Sequence, residues 1–499
     1  MTVATTLAVY PTHIAIAAPN PIRDVLSDRF TYEVPKAAFI KKRHLLAHPQ
    51  PRRNCWQCNW DGTTCLFKYG KLPIGFLQTI CDVLSENGIE FAISDQRQAP
   101  EKQFNWRYDF DLRPYQQDII STMLERTSGI IESPTGSGKT VLAAVAVCEL
   151  GLSTAIIVPT KVIHQQFVST FKEHSDIPFG VIASGKYEEA PVQICICKSL
   201  LSDGKPHPAL KGKQVLICDE AHQSASKQWE AVVAGCDAYH RFGFSATPFR
   251  ANDLECALLN GIAGDVIATI ETETLQDEGY LCPTDIRLIP VVAKYDKMVF
   301  DESYDAVGNM VGERDTTYAE RYRQGIVENV QRNLDIAEVV LHHHRQGDKV
   351  LVIVSWTDHA DLLLPMLPED TIYLSGKDTA KKTKEKVDEY KGRAGGVLLG
   401  SPVVDVGFDV PACDVVLMAG AGSYEGRQRQ RLGRGLRPSP GKESVRVIDF
   451  VDDDRKNGGR PMFYQHSQAR VKAYQSVGQE VTWYRDVQDA LRSRISLGV

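Results

Sequence analysis

The sequence predicts an α/β protein with two domains built on parallel sheets, preceded by a smaller region of different composition. From about residue 106 onward, short apolar runs alternate with stretches of helical character. Runs that are apolar at nearly every position are typical of parallel strands buried on both faces. The predicted strands are residues 154–158, 215–218, 350–354, 397–399, 415–418 and 445–450. Because 499 residues exceed the size of one hydrophobic core, about three domains are expected.

The expected domains are residues 1–105, 106–284 and 285–499. The first is predicted to be a small α+β domain, and the boundary after it lies in the polar stretch 96–103, which is typical of a linker. Residues 293–323 interrupt the α/β rhythm with a polar run. They are predicted to form an insertion or loop near the start of the third domain.

Composition excludes some classes of protein. No apolar run reaches the roughly 18 residues that a membrane span needs, and residues 1–20 lack the basic start of a signal peptide. Several of the twelve cysteines sit in apolar runs, as reduced and buried cysteines do, which predicts a cytoplasmic protein. A net charge of −6 does not by itself indicate a nucleic-acid partner, although a local basic patch is compatible with it.

A string between a short apolar strand and a helical run predicts a phosphate-binding loop. It reads Ser133, Pro134, Thr135, Gly136, Ser137, Gly138, Lys139 and Thr140. Small residues let backbone N–H groups surround phosphate oxygens, and the helix N-terminus adds partial positive charge. Lys139 is expected to reach the β- and γ-phosphates of ATP, and Thr140 to bind Mg²⁺. The alternative is a glycine-rich turn that binds no ligand.

A pair of carboxylates further along the chain supports the same interpretation. Asp219 and Glu220 follow an apolar strand and precede Ala221 and His222. Asp219 is expected to hold Mg²⁺, and Glu220 to orient and deprotonate the attacking water. Taken alone, this tetrapeptide is also compatible with an acidic strand end. After a phosphate loop it predicts the second half of an ATPase site.

With these two motifs, the chain resembles superfamily 2 helicases that carry a DEAH motif, over residues 111–484. The other motifs that carry the resemblance are residues 112–116, 158–160, 245–248, 401–411 and 430–437. The resemblance implies two RecA-like motor domains that use ATP and Mg²⁺. It implies that Arg113 and Gln116 contact the nucleotide, with Gln116 reading the base, and that Gly407 and Asp409 contact it from the fifth motif.

Arginines crowd the sixth motif. They are Arg427, Arg429, Arg431, Arg434 and Arg437. So many cations in one short segment cannot neutralise one another and need external anions, and the planar guanidinium suits phosphate oxygens. A solvated basic helix is the alternative. The resemblance implies that Arg434 and Arg437 close over the γ-phosphate as arginine fingers, so the expected catalytic residues are these two with Lys139 and Glu220.

The region before the motor domains contains a basic segment with interleaved aromatic residues. Residues 36–71 hold eight lysines and arginines against a single acid, Asp61, and include Trp56, Trp60, Phe67 and Tyr69. Cations neutralise phosphates and aromatic rings stack on bases, so the segment predicts a nucleic-acid-binding domain. The alternative is a solvated face whose aromatics form the core. The region also resembles the small N-terminal domain of phage branch-migration helicases of the UvsW type, a wider group that includes XPB-like translocases.

The same segment contains three cysteines at a spacing compatible with zinc. Cys55, Cys58 and Cys65 could supply three thiolates, but no second Cys-x₂-Cys pair completes the pattern. Buried or incidental thiols are therefore the favoured interpretation.

Together these features predict an ATP-dependent DNA helicase or translocase that unwinds or branch-migrates forked and junction DNA in recombination, replication or repair. Translocation on duplex DNA without unwinding, as in restriction-type or XPB-like motors, and RNA unwinding remain open alternatives. The intact site disfavours a binding module that has lost catalysis. The expected partner is branched, forked or single-stranded DNA, bound by a monomer in the cytoplasm of a bacterium or a phage-infected cell, with no membrane involved.

Overall fold

The computed structural model describes residues 5–35, 37–47, 60–134, 136–221, 227–246, 253–300, 313–400, 413–422, 444–457, 461–476 and 479–493. These residues form two compact units. One contains the chain up to Ser133 together with Gly138–Thr269, and the other contains Pro134–Ser137 together with the chain from Ile270 onward. The first unit holds the N-terminal region and one large sheet, and the second unit holds another large sheet.

The N-terminal region is built on a four-stranded sheet. The strands of the whole region are β1 (Thr5–Val9), β2 (His13–Ala17), β3 (Thr31–Glu33), β4 (Thr63–Cys65), β5 (Lys71–Pro73) and β6 (Phe91–Asp95). The helices of the region are α1 (Asn20–Arg29), α2 (Ala37–Ala47) and α3 (Leu77–Glu86). The sheet order is β5-β2-β1-β6, and β3 pairs separately with β4. Strands β1 and β2 bury every second residue, so one face of the sheet meets the core.

The first large sheet has eight strands. Its strands are β7 (Ser128–Glu132), β8 (Thr154–Val158), β9 (Phe179–Ala183), β10 (Lys186–Tyr187), β11 (Val192–Ile196), β14 (Val215–Asp219), β15 (His240–Ser245) and β16 (Val266–Thr269), and β12 (Leu201–Ser202) forms a hairpin with β13 (Lys205–Pro206). Its helices are α4 (Pro114–Glu125), α5 (Lys139–Leu150), α6 (Lys161–His174), α7 (Lys227–Ala234) and α8 (Asp253–Ala263). The order is β10-β9-β11-β8-β14-β15-β7-β16, and only the β9–β10 pairing is antiparallel within the described sheet.

The second large sheet has, within the described residues, seven strands that are all parallel. They are β17 (Thr284–Val292), β20 (Lys349–Ile353), β21 (Ile372–Leu374), β22 (Gly396–Gly400), β23 (Val415–Met418), β24 (Val445–Asp453) and β25 (Val481–Trp483), and β18 (Met298–Phe300) pairs apart from them with β19 (Glu313–Asp315). The helices are α9 (Thr272–Asp277), α10 (Tyr318–Tyr322), α11 (Val330–Arg345), α12 (Thr357–Leu363), α13 (Ala380–Gly392), α14 (Met462–Gln475) and α15 (Val487–Arg492). The sheet order is β21-β22-β20-β23-β24-β17-β25.

The N-terminal region packs tightly against the first large sheet. Gly75 lies so close to α8 that a Cβ on it would stand 1.9 Å from the carbonyl oxygen of Asn260. Ala257 of α8 belongs to the hydrophobic core of the N-terminal region. From the sheet itself, Arg241 Nε donates a hydrogen bond of 3.1 Å to the carbonyl oxygen of Pro11. These contacts place residues 5–95 within the first compact unit.

The prediction of an α/β fold with two parallel-sheet domains is confirmed. The predicted strands correspond to β8, β14, β20, β22, β23 and β24. Residues 293–323, predicted to be an insertion or loop, contain β18, β19 and α10 in their described part, and β18 pairs with β19 outside the seven-stranded sheet. The segment is polar overall, so its two core-forming tyrosines were not recognised. The rings of Tyr318 and Tyr322 contact that of Phe463 and attach the segment to the domain.

Within the described residues, every helix is too short or too polar to cross a lipid bilayer.

Candidate functional site

The predicted phosphate loop connects β7 to α5. Gly136 and Gly138 have φ angles of +94° and +87°, which glycine adopts without steric cost. The buried Ser137 donates from its Oγ to the carbonyl oxygen of Pro134 at 2.7 Å, which stabilises the turn. Helix α5 begins directly after Gly138. Its first turn therefore brings N–H donors and the positive end of the helix dipole to the loop.

Lys139 and Glu220 meet at the carboxyl edge of the first large sheet. The Nζ atom of Lys139 lies 3.4 Å from Oε1 of Glu220, and each side chain is 11% exposed. Strand β7 leads to Lys139 and β14 leads to Glu220, with β15 between them. Because parallel strands end at the same edge of a sheet, residues far apart in the sequence converge there. The contact joins the residue predicted to bind phosphate with the residue predicted to activate water.

Glu220 has a strained backbone. Its φ angle is +50°, in the left-handed region that residues other than glycine rarely adopt. Such a conformation costs on the order of 1–3 kcal/mol and persists only where the surrounding structure holds it, which is common at active sites. The strained backbone agrees with the predicted catalytic role of Glu220, which stays a prediction.

Asp219 is a buried carboxylate with an incomplete set of partners. Its Oδ1 atom accepts no hydrogen bond from the described residues. Burial and the neighbouring Glu220 carboxylate raise the pKa of Asp219. Among the described residues, Lys139 is the cation that acts on both carboxylates. An orphaned oxygen and excess negative charge fit a hard divalent cation, so Asp219 and the hydroxyl of Thr140 would hold Mg²⁺, which when bound neutralises charge on the phosphates.

The predicted nucleotide-contacting residues Arg113 and Gln116 lie at the start of α4. Gln116 Oε1 accepts a hydrogen bond of 3.1 Å from the backbone N–H of Arg113, which fixes the helix N-terminus. A Cβ on Gly138 would stand 2.4 Å from Gln116 Nε2, so the amide lies against the phosphate loop. Arg113 Nη1 donates to the hydroxyl of Tyr115 at 2.9 Å. The structure thus brings Gln116 to the loop, and the roles of both residues remain predictions.

Two other predicted motifs end strands of the same sheet. Thr160 follows β8 and caps α6, accepting a hydrogen bond of 3.4 Å from the N–H of Ile163. Ser245 ends β15, and its carbonyl oxygen accepts a hydrogen bond of 2.8 Å from the N–H of Ser133. The motif at residues 245–248 is therefore hydrogen-bonded, through Ser245, to the start of the phosphate loop.

Several predicted residues lie outside the described part of the chain. They are Thr135 of the phosphate loop, His222, Gly407 and Asp409 of the fifth motif, and the arginines of the sixth motif, including Arg434 and Arg437. Their assignments remain predictions from the sequence.

The aromatic residues of the basic segment differ in how far their side chains are buried. Phe67 is buried in the core of the N-terminal region, so the expectation that it stacks on bases is wrong. Trp60 is partly buried and donates from Nε1 to the carbonyl oxygen of Thr63 at 2.6 Å. Tyr69 is 99% exposed. Trp56 lies outside the described residues.

The three cysteines considered for zinc are only partly described. Cys65 donates from Sγ to the carbonyl oxygens of Ser27 and Phe67, at 3.6 and 3.4 Å. Cys55 and Cys58 lie outside the described residues. Among the residues that are described, no group of three side chains is arranged to hold a metal ion, and nothing supports zinc.

Trp356, which was not predicted from the sequence, follows β20 at the carboxyl edge of the second large sheet. Its ring stacks on Tyr322 with centroids 4.7 Å apart, and the guanidinium of Arg323 lies 6.0 Å from the ring centroid. Tyr322 in turn donates from its hydroxyl to the carbonyl oxygen of Ala421 at 3.2 Å. An aromatic residue directly after a buried strand was the signal that could have found this cluster.

Two family models match the two large-sheet domains. The model of the Type III restriction enzyme, res subunit, matches residues 109–250, and the Helicase conserved C-terminal domain matches residues 331–439. The first match contains the phosphate loop and the Asp219–Glu220 pair. The second contains the fifth and the sixth motif.

Curated relatives agree with these matches. Helicase 22 of the Sulfolobus islandicus filamentous virus is 25% identical over 370 residues, which are 69% of this chain and 64% of the viral protein. A Rad25-type DNA 3'-5' helicase of Haloarcula marismortui is 27% identical over 337 residues, which are 66% of this chain and 51% of the relative. The chain therefore matches between about half and two thirds of the length of these relatives.

A solved structure supports the fold. A fragment of the HsdR subunit of a type I restriction enzyme from Vibrio vulnificus has a TM-score of 0.52 at 19% identity, covering 72% of this chain and 67% of that one. The two family models and the relatives support a superfamily 2 helicase that resembles proteins of the XPB and Rad25 type, with two RecA-like domains. The resemblance inferred from the motifs is confirmed.

Proposed function

We propose that the chain is a DNA-dependent ATPase that uses ATP hydrolysis to move along forked or junction DNA and to separate or branch-migrate its strands. The observation that carries the ATPase assignment is the meeting of Lys139 and Glu220 at 3.4 Å beside the orphaned carboxylate oxygen of Asp219. Burial and the neighbouring Glu220 carboxylate raise the pKa of Asp219, and Lys139 is the cation beside both groups. Two carboxylates facing one lysine suit a site that receives a divalent cation.

In this proposal each residue of the site has one role. Lys139 binds the β- and γ-phosphates, and Glu220 accepts the proton of the attacking water. Asp219 and Thr140 hold Mg²⁺. Arg434 and Arg437 stabilise the charge that develops on the transferred phosphoryl group.

The assignment of DNA as the partner rests on the relatives and on charge. The Haloarcula relative is described as a DNA 3'-5' helicase. Residues 36–71 of this chain add a concentration of cations outside the motor domains, as expected for a surface that contacts phosphates. Branched DNA offers more than one arm, so a second contact surface would hold the motor at the branch point.

The test begins with ATPase activity, measured with and without single-stranded and forked DNA in the presence of Mg²⁺. We expect DNA to stimulate hydrolysis and Lys139→Ala to lower turnover by at least about 10²-fold. Lys172→Ala is the control, because Lys172 lies in the last turn of α6, away from the phosphate loop. Normal hydrolysis by Lys139→Ala would reject the site assignment.

The second step identifies the substrate. Strand separation is compared on forked DNA, a four-way junction, linear duplex DNA and duplex RNA. Preference for the fork and the junction supports the proposal, whereas preference for duplex RNA would replace it with an RNA helicase.

A second candidate function is translocation along duplex DNA without strand separation. The match to the res subunit of type III restriction enzymes favours it. Displacement of a third strand from linear duplex DNA, without unwinding of any of the four substrates, would support this alternative.

The role of the N-terminal region is tested by charge removal rather than by truncation. Removal of residues 1–103 would expose the apolar surface of α8 that packs against the N-terminal region. It would also remove the hydrogen bond that Gln103 N donates to the carbonyl oxygen of Gly151. Substituting Lys68 and Lys71 by glutamine avoids this damage. If both contact phosphates, the slope of log K against log salt should flatten by about 0.7–0.9 per lysine.

A further inference from the structure

Three tight turns in the first compact unit share one backbone conformation. Each has a residue with positive φ followed by a glycine with positive φ: Tyr69 and Gly70 (+55° and +72°), Ser184 and Gly185 (+52° and +85°), and Asp203 and Gly204 (+50° and +73°). Each joins two antiparallel segments. This is the two-residue hairpin turn in which both central residues are left-handed.

The residue at the first position differs sharply between the three turns. A short polar side chain suits the left-handed region because it can hydrogen-bond to the nearby backbone, and Ser184 and Asp203 fit this rule. Tyr69 does not, since it is bulky. Its ring is also 99% exposed, so packing does not compensate for the strained backbone. A strained, fully exposed aromatic side chain indicates a functional role at the hairpin tip.

The tip is held rigidly. Lys68 and Lys71 exchange two backbone hydrogen bonds, of 3.1 and 2.9 Å, across the turn. The carbonyl oxygen of Gly70 accepts a third, of 2.8 Å, from the N–H of Ile16 in β2. The ring of Tyr69 is therefore presented from a fixed base on the four-stranded sheet.

The tip is also positively charged. Lys68 and Lys71 are exposed on either side of Tyr69. The guanidinium of Arg23 lies close by, since a Cβ on Gly70 would stand 2.8 Å from its Nη2. Among the described residues, these three cations have no carboxylate within ion-pair distance. An exposed ring surrounded by available cations is the pattern that binds an unstacked nucleobase together with its phosphates.

We propose that Tyr69 stacks on an exposed nucleobase of DNA, while Lys68, Lys71 and Arg23 contact the adjoining phosphates. The inference rests on the proposed DNA-dependent function and names the point at which the N-terminal region meets the substrate. An exposed base face occurs in a single strand and at the terminal base pair of a branch. The experiment separates these two sources.

The test measures binding of the full-length protein, without ATP, to three DNA probes that carry 2-aminopurine. One is a single strand, one has the label in the last pair of a fork, and one has it inside a continuous duplex. Tyr69→Gly and Tyr69→Asn remove the ring and relieve the strained backbone. We expect affinity for the single strand or the fork to fall by roughly 5- to 100-fold, with loss of the change in 2-aminopurine fluorescence. The continuous duplex should be unaffected.

Melting temperatures and three further variants supply the controls. Tyr69→Gly and Tyr69→Asn should leave the melting temperature unchanged or raise it, because these residues suit the left-handed region. Tyr69→Phe keeps the ring and should bind DNA as the parent protein does. Ser184→Gly and Asp203→Gly change the equivalent position of the other two turns and should leave DNA affinity unaltered.

Several results would overturn the inference. They are unchanged DNA affinity in Tyr69→Gly, an equal loss in Tyr69→Phe, or a lower melting temperature with normal binding. Failure of the proposed function is separate, because it would appear as absence of DNA-stimulated ATPase in the parent protein. Binding of the 2-aminopurine probes is measured without ATP and does not depend on that activity.

Discussion

The two large sheets differ in how their buried carboxylates are balanced by cations. In the first sheet, Asp219 and Glu220 stand at the end of β14 and share the single charge of Lys139. In the second sheet, Asp449 and Asp452 of β24 are each paired with an arginine. Buried carboxylates that are balanced by an equal number of cations serve as framework. Buried carboxylates that outnumber the cations beside them form a site that a cationic ligand can complete.

The framework of the second sheet is a connected network. Arg332 Nε lies 2.7 Å from Asp452 Oδ1, with both side chains fully buried. Arg470 Nε lies 2.9 Å from Asp449 Oδ2, and its Nη2 lies 3.6 Å from Asp452 Oδ2. Tyr474 donates from its hydroxyl to the same Asp449 oxygen at 2.7 Å. Arg470 and Tyr474 are four residues apart on α14, so one helix face fixes both to β24.

The largest expected effect is on the rate of ATP hydrolysis, and it is expected for the arginines of the sixth motif but not for an exposed arginine of the same domain. Arg434→Ala and Arg437→Ala should each lower kcat by about 10³- to 10⁵-fold while ATP binding changes little, because these residues act on the transition state. Steady-state hydrolysis gives kcat, and a fluorescent ATP analogue gives the binding constant. Arg455→Ala is the control, since Arg455 is exposed and pairs only with Asp453 and Tyr464 among the described contacts. A change confined to KM would contradict the finger role.

A somewhat smaller effect is expected at Glu220. Glu220→Gln removes the proton acceptor but keeps the shape of the side chain and leaves Asp219 intact, so hydrolysis should fall by about 10²- to 10⁴-fold. Nucleotide and DNA binding should persist. Glu149→Gln, at the far end of α5, changes a carboxylate that bonds to the hydroxyl of Tyr108 and should retain activity. Loss of nucleotide binding in Glu220→Gln would instead make Glu220 a structural residue.

The third effect is on stability. Arg332→Met leaves Asp452 buried without its closest cation and should reduce the free energy of unfolding by about 3–5 kcal/mol. Urea denaturation measures the loss, and Arg455→Ala again serves as the exposed control. The ATPase rate per folded molecule should stay near normal. If Arg332→Met is as stable as the parent protein, the charge pairs of the second sheet are not its framework.

Much of this arrangement was predictable from the sequence. The strands were visible because they are apolar at nearly every position, and the phosphate loop because glycines and Lys139 follow such a strand. The convergence of Lys139 and Glu220 then followed from the rule that parallel strands end at one edge. Each of these inferences depends only on local pattern.

The remainder depends on contacts between distant residues. Arg332 and Asp452 are 120 positions apart, and a charged residue in the sequence carries no sign that it is buried and paired. Ala257 completes the core of the N-terminal region from a helix of the first motor domain, which no local pattern reveals. The left-handed backbone of Glu220 is likewise imposed by its surroundings, because its side chain type does not favour that conformation.

The most direct test compares the thermal unfolding of Asp219→Asn and Asp452→Asn in the absence of nucleotide and Mg²⁺. We expect opposite results for the two variants. Asp219→Asn removes an unmatched buried charge and should leave the melting temperature unchanged or raise it by a few degrees, while Mg²⁺-ATP no longer stabilises the protein. Asp452→Asn breaks a matched pair and should lower the melting temperature by several degrees. A similar loss of stability in both variants would contradict the account, because Asp219 would then belong to the framework.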